Sequence, residues 1–272
     1  MDIVVASSRG FDVESLLYKN HPNRERLFVY SKSGCQTLKL AAKVPKIIKF
    51  YGDQGSQKHH VYFLSGLCDL TYMDRDWEYS PYDSYEEVFF TEPWYEAANR
   101  VTRDIYSAIE SVRTPNITPV FCTVPPMSFR LWNEHRLKKG ETSFLLHHSQ
   151  YEEMQYSLIS AIRSLNNNIV QINSANGMTT PHLATTVMQN MGPDRRPRVF
   201  YSRFRDGVHP GKDLKAKWAK KLIKAMTLNR DNSASATHPT DSDDEERDYV
   251  EALVSGHLQN AIDVAHSGGP IL

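Results

Sequence analysis

Cysteine is scarce in this chain: Cys35, Cys68 and Cys122 are the only three among 272 residues. An odd number without metal-ligand spacing argues against a disulfide framework and suits a reducing compartment, so a cytoplasmic or nuclear location is expected. Long apolar runs are also missing. No stretch approaches the roughly 18 apolar residues a membrane span requires, so no transmembrane segment is expected. The opening MDIVVASSRG has neither a basic start nor a long apolar core, which argues against a secretory signal and for a strand that begins at once. The histidine pairs His59-His60 and His147-His148 lack acidic companions at ligand spacing, so no metal is expected. Net charge is absent too, but its zero hides an asymmetry. From Asn229 onward nine acidic residues face only Arg230 and Arg247, a net −7 that leaves +7 on the preceding 228 residues.

What is present is an ordinary globular composition, 40% apolar and 24% charged. Short β-branched and apolar runs at 2–6, 27–30, 61–64, 119–124 and 169–172 read as strands. Between them, 11–19, 36–43, 93–113 and 143–165 have helical spacing, and 211–226 sets Leu214, Trp218, Leu222 and Ala225 on one face. Residues 180–190 suggest a short helix, and 67–90 an irregular loop or small hairpin. The aromatic residues Trp77, Tyr79, Tyr82, Tyr85, Phe89, Phe90 and Trp94 read first as packing, with an apolar pocket wall, or stacking on sugars or bases, as the sharper alternative. Alternation of this kind predicts an α/β fold, a mostly parallel five-stranded sheet with helices on both faces. Residues 1–228 form the expected domain. Residues 229–248 cannot bury enough apolar surface to offset their ordering entropy, and the acidic tail of 229–272 is expected to be largely disordered, with a short helix at 249–265.

In a parallel sheet all strands end at one edge, and ligands bind there. Three strands end in small or hydroxyl residues: Ala6-Ser7-Ser8-Arg9-Gly10, Ser33-Gly34-Cys35 and Ser65-Gly66-Leu67-Cys68-Asp69. Such residues let backbone N–H groups approach a substrate and face developing negative charge. A serine after the first strand is then placed as a nucleophile, and it needs a base from elsewhere in the chain. Asp206-Gly207-Val208-His209-Pro210 supplies one, with Asp206 three residues before His209 and able to fix its tautomer.

Together these blocks resemble the SGNH, or GDSL-like, hydrolase superfamily, as a divergent member over about residues 1–227. Similar modules occur in proteins encoded by retroelements. The Gly-Asp-Ser block corresponds to Ala6-Ser7-Ser8, the second block's glycine to Gly34, the Gly-x-Asn-Asp block to Gly66-Leu67-Cys68-Asp69, and the Asp-x-x-His block to Asp206-Gly207-Val208-His209. The resemblance implies a flavodoxin-like three-layer sandwich and a catalytic triad of Ser8, Asp206 and His209. It also implies an oxyanion hole at Ser8, Gly34 and Cys68, with Gly66 beside the substrate. A small ester such as an acetylated sugar or lipid fits, and no cofactor is needed. Two departures stand out. Cys68 replaces the asparagine whose side chain completes the oxyanion hole, and losing one such donor costs roughly 2.7–4 kcal/mol of transition-state stabilisation. Ala6-Ser7 replaces Gly-Asp.

Two functions follow. One is a serine esterase acting on a small acyl group. The other is a catalytically weakened module of the same fold that binds nucleic acid, an anionic surface or a protein, for which the face bearing Lys212, Lys215, Lys217, Lys220, Lys221 and Lys224 is the candidate.

Overall fold

The computed structural model describes residues 1–51, 58–75, 86–90, 92–140, 148–189 and 198–235. In chain order the elements are β1 (Asp2–Ala6), α1 (Ser8–Asn20), β2 (Leu27–Ser31), α2 (Thr37–Ala41), α3 (Val44–Tyr51), β3 (His59–Leu64) and α4 (Leu67–Leu70). They continue with β4 (Tyr72–Arg75), β5 (Glu86–Phe89), α5 (Trp94–Val112), β6 (Ile117–Phe121), α6 (Phe129–Lys138) and α7 (His148–Ala175). The last are β7 (Met188–Gln189), β8 (Arg198–Val199) and α8 (Lys212–Ser235).

The central sheet has four strands in the order β2-β1-β3-β6, every neighbouring pair parallel. β1 and β3 lie inside it and are covered on both faces, which is why they read as unbroken apolar runs rather than alternating ones. Ile3, Val5, Val61 and Phe63 face a core built with Leu40 and Val44, with Val101 and Ile105 of α5, and with Leu158 and Ile162 of α7. Val4, Ala6, Tyr62 and Leu64 face the opposite core, with Val13 and Leu17 of α1 and Trp218, Leu222 and Met226 of α8. Helices, sheet and helices form three layers. The expected α/β three-layer sandwich is present, and the small hairpin expected within 67–90 is the antiparallel pair β4-β5.

The expected fifth strand is not a strand. Ile169–Ile172 lies inside α7. Leu158, Ile162, Leu165, Ile169 and Ile172 are all buried, and their spacing of three and four residues is one continuous helical stripe. The local apolar cluster mimicked a strand only when cut out of that longer period. α7 nonetheless does part of a fifth strand's work. Asn173 accepts from the Phe121 N–H (3.0 Å) and donates to its carbonyl (2.7 Å). Two turns earlier, Asn166 accepts from the Val124 N–H (2.6 Å) and donates to its carbonyl (3.0 Å). The two amides occupy backbone groups that an edge strand would otherwise leave open.

Three smaller expectations also differ. Val44–Tyr51 is helical rather than a connection, and 180–190 holds a single 3₁₀ turn (Ala184–Thr186) followed by β7. His59 and His60 lie within β3, buried. Trp77, Tyr79, Tyr82 and Tyr85 lie outside the described residues; Phe90 is buried in the core and Trp94 is exposed. The chain divides into two compact units, Met1–Arg230 and Asp231–Leu272. α8 runs on to Ser235, past the point where the sequence turns acidic, and Asn229 is fully buried. The suggested helix at 249–265 lies outside the described residues. Among the described residues, no helix is long and apolar enough to cross a membrane.

Candidate active site

The chain leaves β1 outward to β2 and returns to β3 on the other side, so strand order reverses beside β1. The crevice at such a reversal opens at the carboxyl ends of the strands. Ser8 stands there. The Ser7 N–H still bonds to the Leu64 carbonyl at 3.1 Å, as if β1 continued, and α1 begins at the next residue. Ser8 is half-buried and at the positive end of a 13-residue helix. Its neighbour Ser7 is buried.

Asp206 and His209 come from the loop before α8. Asp206 Oδ2 lies 2.8 Å from His209 Nδ1, while Oδ1 accepts from the backbone N–H groups of His209 (2.7 Å) and Val208 (3.0 Å). Burial pushes the Asp206 carboxyl up, but these three hydrogen bonds outweigh it and hold the group well below the usual carboxylate range. An ionised carboxylate on Nδ1 puts the proton of a neutral imidazole there and leaves the lone pair on Nε2. Sequence expectation and structure agree that Asp206 and His209 meet. No hydrogen bond joins Ser8 to His209 among the described residues; the two sit on adjoining segments.

The loop is held by residues that the sequence reading did not single out. Arg9, next to Ser8, is buried and donates to three carbonyls: Val208 from Nε (3.1 Å), Pro125 (2.6 Å) and Pro126 (3.0 Å) from its terminal nitrogens. Its guanidinium carbon lies 5.7 Å from the ring centroids of both Phe204 and Trp218. Burial lowers its pKa to about 10, so it stays charged at neutral pH. One side chain thus ties the strand-one turn, the segment after β6 and the histidine loop together. On the other flank the Ser128 N–H donates to the Gly207 carbonyl at 2.9 Å, and Trp132 of α6 sets its ring edge-on to His209, centroids 5.6 Å apart. An arginine in a serine-rich turn and a tryptophan on a helix carry no local signal of these contacts.

On the β2 side, Gly34 sits exposed in a turn at φ +64°, and no acceptor for its N–H is found among the described residues. Asp69 braces that turn to the end of β3. It accepts from the Thr37 N–H (2.9 Å), the Thr37 hydroxyl (2.9 Å) and the Gly66 N–H (3.1 Å). Burial raises its pKa even so. Gly66, at φ +101°, lies so close to Val124 that a Cβ would come within 2.6 Å of its methyl. Cys68 is half-buried, with the Arg9 guanidinium and the Ser7 side chain near enough to favour its ionised form. It therefore lies at the strand-one turn and not in the core. Burial and the Asp69 charge raise its pKa, so it remains a thiol, a weak donor where an amide would be a strong one. Among the described residues no group of three or more His, Cys, Asp or Glu could hold a metal.

No family model and no curated protein matches this sequence. Solved structures do. A candidate acylhydrolase from Bacteroides fragilis superposes over 84% of this chain and 86% of its own, with TM-score 0.52 and 10% identity. A GDSL-like lipase from Bacteroides thetaiotaomicron matches over 84% and 85% (TM-score 0.49, 11% identity). A lipolytic protein of the G-D-S-L family from Veillonella parvula matches over 84% and 98% (TM-score 0.49, 12% identity). The likeness to the Bacteroides fragilis acylhydrolase shows a shared α/β three-layer fold, consistent with the one the sequence blocks implied. At such identity the likeness carries architecture alone.

Proposed function

We propose that the protein is a serine hydrolase of ester or acyl groups, with Ser8 as nucleophile, His209 as base and Asp206 as its partner. The observation that supports it most is the Asp206 carboxylate on His209 Nδ1, which leaves Nε2 basic at the same sheet edge as Ser8. In the proposed reaction Nε2 takes the Ser8 proton as Oγ bonds to the ester carbonyl carbon. The carbonyl oxygen, now negative, takes hydrogen bonds from the Ser8 and Gly34 N–H groups, with Cys68 in the third donor's place and Gly66 beside the substrate. The imidazolium returns its proton to the leaving alkoxide, and an acyl-Ser8 remains. Water, deprotonated by His209, then releases the acid and restores Ser8. The chemistry uses no cofactor. Turnover of 4-nitrophenyl acetate by the full chain is the test. It should vanish in Ser8→Ala and His209→Ala proteins of unchanged circular dichroism. Turnover surviving Ser8→Ala refutes the assignment.

A second reading, a weakened binding module, draws on two observations: a thiol where the oxyanion hole needs an amide, and no Ser8–His209 hydrogen bond among the described residues. Of its lysine face, Lys215 is paired with Asp12 (2.9 Å) and Lys221 bonds to the Thr185 hydroxyl (3.2 Å), leaving Lys212, Lys217, Lys220 and Lys224 exposed. Absent turnover together with salt-sensitive binding of a labelled oligonucleotide or anionic vesicles would favour it.

A further inference from the structure

On the β2 side of the crevice the charge of the described residues is one-sided. Residues 27–52 contain Lys32, Lys39, Lys43, Lys46 and Lys49 and not one acidic residue. Lys32 follows β2 directly, and its N–H bonds to the Ala6 carbonyl at 2.9 Å, so it lies one strand spacing from the Ser7-Ser8 turn. Lys39 is on α2, whose first residue is held by Asp69, and Lys43 follows α2; with Lys32, their charges reach Cys35, the residue after Gly34. Lys32 and Lys39 are exposed, Lys43 half-buried, and none has an ion-pair partner among the described residues. Across the crevice, Arg205 is 57% exposed, 3.7 Å from Asp206 and 3.9 Å from Asp12.

Among the described residues four acids near the crevice are engaged, while Asp213 in the first turn of α8 is exposed. Asp12 takes Lys215 at 2.9 Å, Asp206 holds His209, Asp69 is buried in four hydrogen bonds from Thr37 and Gly66, and Glu134 of α6 lies 3.7 Å from Arg130. Beside the oxyanion turn, what is left without an acidic partner among the described residues is cationic: Lys32, Lys39 and Lys43. Such a rim, over a cleft with low-dielectric walls, concentrates anions.

Building on the hydrolase reading above, we propose that the ester this site takes carries an anionic group, a carboxylate or phosphate on the part of the substrate that reaches the Lys32-Lys39-Lys43 rim. Neutral esters of the same shape are poorer substrates. The preference arises from charge at the rim and not from the reacting groups.

Three acetates of similar size test it on the full chain: 4-acetoxybenzoate, 4-acetoxybenzamide and 4-acetoxy-N,N,N-trimethylanilinium. At low salt kcat/KM should fall in that order, with the benzoate about tenfold above the benzamide, and the gap should close to about twofold at 0.5 M salt through screening. In the triple variant Lys32→Gln, Lys39→Gln, Lys43→Gln the benzoate advantage should disappear while benzamide turnover is kept. Equal rates for all three acetates, or an advantage that the triple variant retains, would overturn the anionic class and leave the hydrolase reading intact. If no acetate is hydrolysed, the hydrolase reading fails by itself. The rim is then read by equilibrium binding to Ser8→Ala protein: 4-acetoxybenzoate should bind about tenfold tighter than the benzamide and lose that margin in the triple variant. Equal binding overturns the proposal there too.

Discussion

Replacing Gly207 by alanine tests how the histidine loop is held. Gly207 sits at φ +88°, and a Cβ built there would lie 2.8 Å from Leu131 Cβ, 2.9 Å from the Ser128 carbonyl oxygen and 2.9 Å from the Trp132 nitrogen. Two of these three atoms are backbone at the start of α6, so no side-chain rotation relieves them. The left-handed conformation costs an alanine about 1–2 kcal/mol. Overpacking against backbone adds about 1–3 kcal/mol. A total near 2–5 kcal/mol should lower Tm by roughly 5–15 °C in a unit of this size. The control is Gly177→Ala. Gly177 has φ +66° but nothing within 4 Å of its Cβ position, so it reports the backbone cost alone. Thermal unfolding by circular dichroism of the two variants side by side separates the contact from the conformation. Any activity should fall in Gly207→Ala, because moving the loop off α6 moves His209 away from Trp132. A Gly207→Ala protein no less stable than Gly177→Ala would refute the claim that α6 positions the His209 loop.

Other expectations are equally open to measurement. Cys68→Asn should raise any esterase kcat by tenfold or more, since it puts an amide donor where a half-buried thiol stands at the proposed oxyanion hole; unchanged kcat in a folded variant counts against that oxyanion hole. Asn173→Leu strips the Phe121 N–H and carbonyl of their partners and should cost about 2–4 kcal/mol in urea unfolding. Truncation after residue 228 should cost a similar amount, because Asn229 bonds to Thr179 and the Tyr62 hydroxyl, whereas truncation after Ser235 should leave Tm nearly unchanged. Burial pushes the Asp2 carboxyl up, but hydrogen bonds from His21 and His60 hold it below the ordinary range. Its depressed folded value makes its stabilisation present above about pH 4, the unfolded value, and lost as pH falls through the folded one. Asp2→Asn should flatten the acid limb of the stability–pH curve, and an unaltered limb would mean that Asp2 is not the group responsible.

The parts of this fold legible from sequence are those in which local pattern and tertiary environment agree. β1, β2, β3 and β6 are short, apolar and bounded by turn residues, because parallel strands covered on both faces admit little else. The α8 stripe of Leu214, Trp218, Leu222 and Ala225 is buried as read; on α5, Ala98, Val101, Ile105 and Ile109 are buried but Trp94, expected in the same stripe, is exposed. Ile169–Ile172 failed for a definite reason. A four-residue apolar window cannot distinguish a buried strand from part of a buried helix. The deciding signal was the longer period from Leu158, together with Asn166 and Asn173 seven residues apart, a polar pair that nothing local explains until β6 is seen to need it.

The candidate site divides in the same way. Asp206 and His209 were readable because an Asx-type turn lets a carboxylate reach the ring three residues on, and that is a local fact. Where the pair stands relative to Ser8 is not local. It depends on Arg9, which reaches Val208 across 199 positions of sequence, and on α6, which meets Gly207 from some 75 positions away. In the sequence Gly207 and Val208 look like spacers between two chemical residues. In the structure they are the points at which the loop is held, one by its carbonyl and missing side chain, the other by its carbonyl and its place in the core. Motif reading finds the groups that can react. The distance between them is set by residues whose own chemistry gives no hint of it, which is why substitutions at Gly207 and Arg9 test the proposed mechanism as directly as substitutions at Ser8.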